Sequence, residues 1–253
     1  MTHWHYRSNT MNTTKNITLS VIMPAYNEAQ HIKENLLETS HILGGFLHNY
    51  EIIAVNDGST DATASLIKEA AVEDSHIIDA GYEDNQGKGH AITTGIKAAS
   101  GTYIAFLDSD LELSPALLKP FLKQMKQTDA DIVIGSKLHP ESKLDYPPMR
   151  RFMSYSYYVM LKILFHLGIH DTQTGIKLFK SEVIKPIAEN LSISGYAFDI
   201  EILVAAHSKG YPIEEAPIVL NYSRDDAADG RRIKIKDILK VFSDTIAIKN
   251  KYK

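Results

Sequence analysis

Short apolar runs alternate with helically spaced apolar residues through the first half of the chain. Residues 17–23, Ile-Thr-Leu-Ser-Val-Ile-Met, read as a strand that stops at Pro24. Ile32, Leu36 and Leu43 then keep near-helical spacing, which predicts a helix from about Glu28 to Leu43. A second buried strand follows at residues 51–55, and Asn56-Asp57-Gly58-Ser59-Thr60-Asp61 supplies a tight turn and the N-cap of a helix over 62–71. Ile77-Ile78 is a short third strand, and Asn85-Gln86-Gly87-Lys88-Gly89 opens a helix through Ala98. Tyr103-Ile104-Ala105-Phe106-Leu107 is the next strand, before a helix over 115–127 and a strand at 132–134. Such alternation predicts a parallel sheet covered on both faces, with loops gathered at one rim.

After Leu138 the rhythm changes. Pro147-Pro148 stops any preceding element, and residues 150–167 read as an amphipathic helix rich in Tyr, Met and Phe. A strand is expected at 176–179, helices at 181–189 and 198–208, a strand at 217–221 and a basic amphipathic helix over 233–253. The reading gives a flexible N-terminal arm over 1–16, one α/β domain over 17–225 and a basic amphipathic segment over 226–253.

Composition narrows the class. With 44% hydrophobic and 23% charged residues, the 253-residue chain can bury a sizeable core. A formal net charge of −4 argues against a general nucleic-acid binder. There is no cysteine, so disulfide frameworks and thiolate metal sites are out. Residues 1–16 are polar and lack the apolar centre of a signal peptide. No uninterrupted apolar run approaches the ~20 residues that span a bilayer; residues 155–169 come nearest, broken by Lys162 and His166.

The chemistry gathers where strands end. Asp108-Ser109-Asp110-Leu111-Glu112 follows the 103–107 strand, and ligands of open α/β sheets collect beyond the carboxyl ends of strands. Hard cations such as Mg²⁺ take carboxylate oxygens and share their remaining positions with water and substrate phosphates. The pattern therefore suits a clamp for a metal–diphosphate complex, although Asp is also a common turn residue. Asp57 could accept hydrogen bonds from a nucleotide base or ribose, or serve the helix cap beside Ser59, Thr60 and Asp61. Gly87-Lys88-Gly89 offers amides and an ammonium to a phosphate without being a Walker loop, or forms a plain turn. Asp171-Thr172-Gln173-Thr174-Gly175 packs polar groups between apolar flanks, and Asp199 and Glu201 begin an otherwise apolar helix, where the dipole also favours acids. Arg150-Arg151 and Arg231-Arg232 precede amphipathic helices, as a lipid phosphate or a solvated surface would both allow. The eleven histidines show no metal-like i, i+4 pair.

Taken together, Pro24-Ala25-Tyr26-Asn27-Glu28, Asn56–Asp61, Asn85–Gly89 and Asp108-Ser109-Asp110 resemble the inverting glycosyltransferase family 2. Asp171–Phe179 and Ala197-Phe198-Asp199-Ile200-Glu201 are similar to its polyprenol-phosphate sugar synthases, and closest to the dolichyl-phosphate glucosyltransferase pattern. The resemblance implies a type-A fold, a mostly parallel central sheet flanked by helices with a Rossmann-like nucleotide-binding half. It implies hexose transfer from a nucleotide sugar, UDP-linked in preference to GDP-linked, to a polyprenyl phosphate, either dolichyl or undecaprenyl. Pro24, Ala25, Tyr26, Glu28 and Asp57 would hold the nucleotide, with Lys88 and Asp199 also on the substrate. Asp108, Asp110 and Glu112 would bind Mg²⁺ or Mn²⁺, with Glu112 standing where the family often has Gln. Arg150, Ser154 and Lys137 would meet the lipid phosphate, and Arg224 would close over the donor phosphates. Asp171 and Gln173 complete the expected catalytic set.

The alternatives are a family 2 transferase acting on a sugar or other hydroxyl acceptor, with Asp171 or Asp199 as base, and a non-catalytic nucleotide-sugar-binding module. A lipid acceptor implies a peripheral enzyme on the cytoplasmic face of a membrane, reached through a membrane partner protein or through two helices. Those are 155–169, with Tyr157, Tyr158, Met160, Leu161, Leu164 and Phe165 as the apolar face, and the tail, with Ile238, Leu239, Phe242 and Ile246.

Overall fold

The computed structural model describes residues 17–144, 158–193, 195, 197–220 and 235–252, with the backbone alone for 144, 235–239 and 242. Strands β1 (Leu19–Ala25), β2 (Tyr50–Asn56) and β4 (Tyr103–Leu107) are nearly continuous apolar runs because both of their faces are covered. Successive side chains go to opposite layers. Leu19, Val21 and Met23 meet α1 (Ile32–Gly44), α2 (Thr63–Glu73) and α4 (Leu118–Thr128) in one core. Ile22, Ile53 and Ile104 meet α3 (Lys88–Ala98), α6 (Ser181–Ala188) and α7 (Phe198–Ser208) in the other. Two separate cores therefore clamp one sheet.

The seven-stranded sheet has the order β3-β2-β1-β4-β7-β5-β8, with β3 spanning Ile77–Asp79, β5 Ile132–Ser136, β7 Ile176–Lys180 and β8 Ile213–Pro217. The run β3-β2-β1 builds outward in one direction, and β4 joins on the other side of β1. The carboxyl ends of β1 and β4 thus flank the crevice where an open α/β sheet binds its ligand.

The expected parallel sheet holds for every pairing except those of β7, which runs antiparallel between β4 and β5. Nothing in Ile176-Lys177-Leu178-Phe179 carries a direction. The consequence matters for the site: Ile176 pairs with Leu107, so the residues entering β7 lie beside those leaving β4.

Other expectations need correction. The first helix begins at Ile32, because Asn27 takes a positive φ of 55° and residues 28–31 form a turn before it. The strand expected at 217–221 is instead β8 followed by β9 (Val219–Leu220), which pairs with β6 (Lys143–Leu144) in a small second sheet. The α2 N-cap is Ala62, whose side chain caps nothing, and the Asp61 carboxylate accepts from the Thr63 amide instead. Of the expected 150–167 helix, residues 158–165 are helical here (α5). Leu161 on α5 is buried, and Met160 and Phe165 pack on the core, so the apolar face proposed for a membrane is turned inward at these positions. Its exposed apolar residues are Val159 and Ile163.

The tail is not set apart from the domain. Helix α8 (Ile235–Lys251) puts Ile248 into the α3/α6/α7 core and buries Thr245. Lys251 donates to Glu201 of α7 at 2.7 Å. Glu201 is fully buried and also accepts from the amides of Ser192 and Ile193 at 3.0 and 2.8 Å. Burial alone would raise the Glu201 pKa; Lys251 and these donors outweigh it and lower it. No helix among the described residues is long and apolar enough to cross a membrane.

Candidate active site

Two cavities adjoin at the carboxyl end of β4. The larger, about 480 Å³, is bounded by the Pro24–Tyr26 loop, Glu28, Asp57, Lys88 and Asp110. The smaller, about 150 Å³, is bounded by Glu112, Lys137, Gln173 and Gly175, with Leu113, Ile218 and Leu220 supplying apolar wall. Asp108 and Asp110 line both.

The loops of the larger cavity are stitched to one another. The Asn27 and Glu28 amides donate to Ser59 and Thr63, and Asn27 accepts from the Thr60 amide. Asp57 is buried at the end of β2 and holds the next loop. Its carboxylate accepts from the Tyr82 hydroxyl at 2.7 Å, the Asn85 amide group at 3.0 Å and the Gln86 and Gly87 amides. Asp57 therefore positions the Asn85–Gly87 turn as well as lining the cavity. Gly58 permits this approach: it has a φ of 62°, and a Cβ there would lie 2.3 Å from the Asn85 nitrogen.

Lysines neutralise the acids around Asp108 in pairs. Lys88, the first residue of α3, donates to Asp108 at 2.5 Å. Burial opposes the ammonium charge, but Asp108 and Asp199 outweigh it and raise the Lys88 pKa. Lys177, fully buried in β7, pairs with Asp199 at 2.7 Å and donates to the Thr174 carbonyl. Burial pushes Asp199 above the ordinary carboxylate range, while Lys177 and Lys88 pull against it. Asp171 accepts from the Lys137 amide at 2.9 Å and pairs with its ammonium at 3.1 Å. Burial would raise the Asp171 pKa, and Lys137 more than reverses this.

Residues 20–187 match the glycosyl transferase family 2 profile. The chain belongs to glycosyltransferase family 2. It is 34% identical over 241 residues to a dolichyl-phosphate β-glucosyltransferase of Trichomonas vaginalis, covering 92% of this chain and 73% of the relative. A second enzyme of that name, from Dictyostelium discoideum, is 33% identical over 233 residues, covering 86% and 70%. In fold it is similar to glucosyl-3-phosphoglycerate synthase of Mycobacterium tuberculosis. The UDP complex superposes with a TM-score of 0.66 at 19% identity, over 98% of this chain and 86% of that one. The complex with Mn²⁺, UDP and glucosyl-3-phosphoglycerate gives 0.60 at 22% identity, over 94% and 86%.

Against this family frame, the structure brings Pro24, Ala25, Tyr26, Glu28, Asp57, Lys88, Asp108 and Asp110 to the larger cavity. Glu112, Lys137 and Gln173 lie on the smaller one. Asp171 and Asp199 are not among the lining residues of either cavity and are held by Lys137 and Lys177. Arg150, Ser154 and Arg224 lie outside the described residues. Among the described residues no three His, Asp or Glu side chains converge as a ready-made metal cage, so Asp108, Asp110 and Glu112 do not form a preassembled triad. Asp108 and Asp110 still present hard carboxylate oxygens where the cavities meet, and that donor set suits a hard divalent cation completed by diphosphate and water.

Sequence reasoning missed Lys177, Lys240 and Asp244. Lys177 carried a signal, a single charge inside an otherwise apolar strand, which demands a buried partner. Lys240 and Asp244 line the larger cavity from α8, and their spacing in a basic amphipathic helix gave no hint of that.

Gly175 leaves no room for a side chain. A Cβ at this position would lie 2.2 Å from Asp108 Oδ2 and 2.7 Å from its Cγ. Gly175→Ala is therefore expected to push the Asp108 carboxylate aside and cost about tenfold or more in transfer rate. Steady-state kinetics check this, and wild-type turnover in the variant would contradict the close packing.

Proposed function

We propose that this chain transfers glucose from UDP-glucose to a polyprenyl phosphate, dolichyl or undecaprenyl, with inversion at the anomeric carbon. The observation that carries the reading is the pair of cavities sharing Asp108 and Asp110. The larger suits the nucleotide sugar and the smaller the acceptor phosphate. The names of the relatives, dolichyl-phosphate β-glucosyltransferases, support the substrate pair.

A polyprenyl phosphate is largely dianionic at neutral pH, since second phosphate pKa values lie near ~6. One of its oxygens attacks the anomeric carbon, and the bond from that carbon to the UDP oxygen breaks with its electron pair leaving on UDP. No proton has to be removed. A hydroxyl acceptor would instead need a base, and the two carboxylates that the sequence offers for that task, Asp171 and Asp199, are each ion-paired to a lysine. Mg²⁺ or Mn²⁺ at Asp108 and Asp110 would supply charge neutralisation on the departing diphosphate; the fold neighbour with Mn²⁺ and UDP bound supports this assignment. Lys88 adds fixed positive charge beside the same oxygens, and Lys137 faces the smaller cavity where the acceptor phosphate would arrive.

The lipid acceptor places the enzyme at a membrane surface, peripherally and on the cytoplasmic face, alone or through a membrane partner protein. Val159 and Ile163, exposed on α5 beside Lys162, suit that contact.

A panel of UDP- and GDP-linked hexoses, each incubated with a short polyprenyl phosphate and Mn²⁺, tests the donor assignment. Glucosyl transfer from UDP-glucose should exceed that from every other donor. Preference for a GDP-linked sugar, or no transfer from any, would overturn it.

A further inference from the structure

The donor cavity is strongly acidic for a site meant to hold a diphosphate. Glu28, Asp57, Asp108, Asp110 and Asp244 line it, and the cations among the described lining residues are Lys88 and Lys240. Lys88 is engaged by Asp108 at 2.5 Å. A divalent cation at Asp108 and Asp110 would offset those two carboxylates, but Glu28, Asp57 and Asp244 still face a diphosphate dianion, so a further cation beside Lys88 lowers a repulsion that partial exclusion of water strengthens.

Lys240 stands in the right place. It is exposed on α8, over the backbone of Gly195, and a Cβ at Gly195 would lie 3.8 Å from Lys240 Nζ and 3.9 Å from Asp244 Oδ2. A narrow gap, of ordinary contact distance to a side chain at 195, therefore separates α8 from Gly195 and residues 192–193. Both sides of that gap are tied to one buried carboxylate. Glu201 accepts from the Ser192 and Ile193 amides on the loop side and from Lys251 on the helix side. Lys251 also donates to the Asn190 carbonyl and to the Ser192 hydroxyl. Ile248 anchors the same end of α8 in the core.

We propose that α8 is a working wall of the donor site, with Lys240 a binding residue for the donor diphosphate and the Lys251–Glu201 contact a positioning pair that seats it. This rests on the reading of the larger cavity as the nucleotide-sugar site. It assigns the C-terminal helix a task in recognition that does not depend on any membrane.

Calorimetric titration of UDP in the presence of Mn²⁺, with uridine as a competitor, tests the proposal on the full chain. Lys240→Met should weaken UDP at least tenfold, the scale of a lost charge-assisted hydrogen bond, and leave uridine competition unchanged. Lys240→Arg, which keeps the charge, should stay within about threefold of wild type. Lys251→Met should weaken UDP several-fold while melting as cooperatively as wild type, whereas Lys249→Met, with the same loss of charge on the same helix, should not. Wild-type UDP affinity in Lys240→Met would overturn the proposal and leave the donor assignment standing. An equal loss for uridine would show that Lys240 serves the nucleoside and would refute the diphosphate assignment. If the wild-type chain binds neither UDP nor GDP, the nucleotide-sugar reading falls and this inference with it.

Discussion

Asp110→Asn is expected to lower the transfer rate by about a hundred- to a thousandfold, the scale of losing one electrostatic stabiliser of the reacting charge, here the metal that Asp110 would hold. The fold should be untouched. Asp110 is exposed at the cavity junction, outside both cores, and its Oδ1 accepts from the Glu112 amide at 3.1 Å, a bond that asparagine's carbonyl oxygen can keep. Radiolabelled glucose transfer and a thermal melt on the same preparation measure both halves. A melting temperature within about 2 °C of wild type, together with lost turnover, places the effect in chemistry. Unchanged turnover would remove Asp110 from the site.

The second large effect is on stability. Asp199→Ala leaves the Lys177 ammonium buried, with side-chain exposures in the native pair of only 2% for Lys177 and 11% for Asp199. Breaking a buried pair from one side costs roughly 3–5 kcal/mol, which for a chain of this size lowers the melting temperature by roughly 6–20 °C. The double variant Lys177→Met/Asp199→Leu removes both charges and should recover most of the loss. Calorimetry decides: a single variant that melts like wild type would mean that Lys177 finds water or another carboxylate.

The contrast between Asp110 and Asp199 shows what could be read from the chain. Strands β1, β2 and β4 were legible because burial on two faces forces a run of apolar residues, and Asp108 was legible because it directly follows such a run. Strand β8 was not, because Ile-Glu-Glu-Ala-Pro lies at the sheet edge and its acids have their own tasks. Glu215 pairs with His170 at 2.6 Å and accepts from the Asp171 amide at 3.1 Å. The direction of β7 was equally hidden, since hydrogen-bond polarity leaves no trace in side-chain pattern. That direction brings Gly175 against Asp108 and Lys177 under Asp199. The pairing of Asp171 with Lys137, 34 positions apart, depends on the same long-range geometry. For α8, amphipathicity announced an apolar face but not which surface would cover it. Ile248 and Lys251 turn out to face α7 and the 190–193 loop.

The most direct test of the account compares acceptors. With UDP-glucose and Mn²⁺ held constant, the enzyme is offered a polyprenyl phosphate, the polyprenol of equal length, and 3-phosphoglycerate, and the product's anomeric configuration is read by NMR. Two cavities meeting at Asp108 and Asp110, with Asp171 and Asp199 both tied to lysines, predict transfer to the polyprenyl phosphate alone, and the proposed inversion at the α-linked donor predicts a β-linked product. Transfer to the polyprenol or to the 3-phosphoglycerate hydroxyl, or an α-linked product, would contradict it.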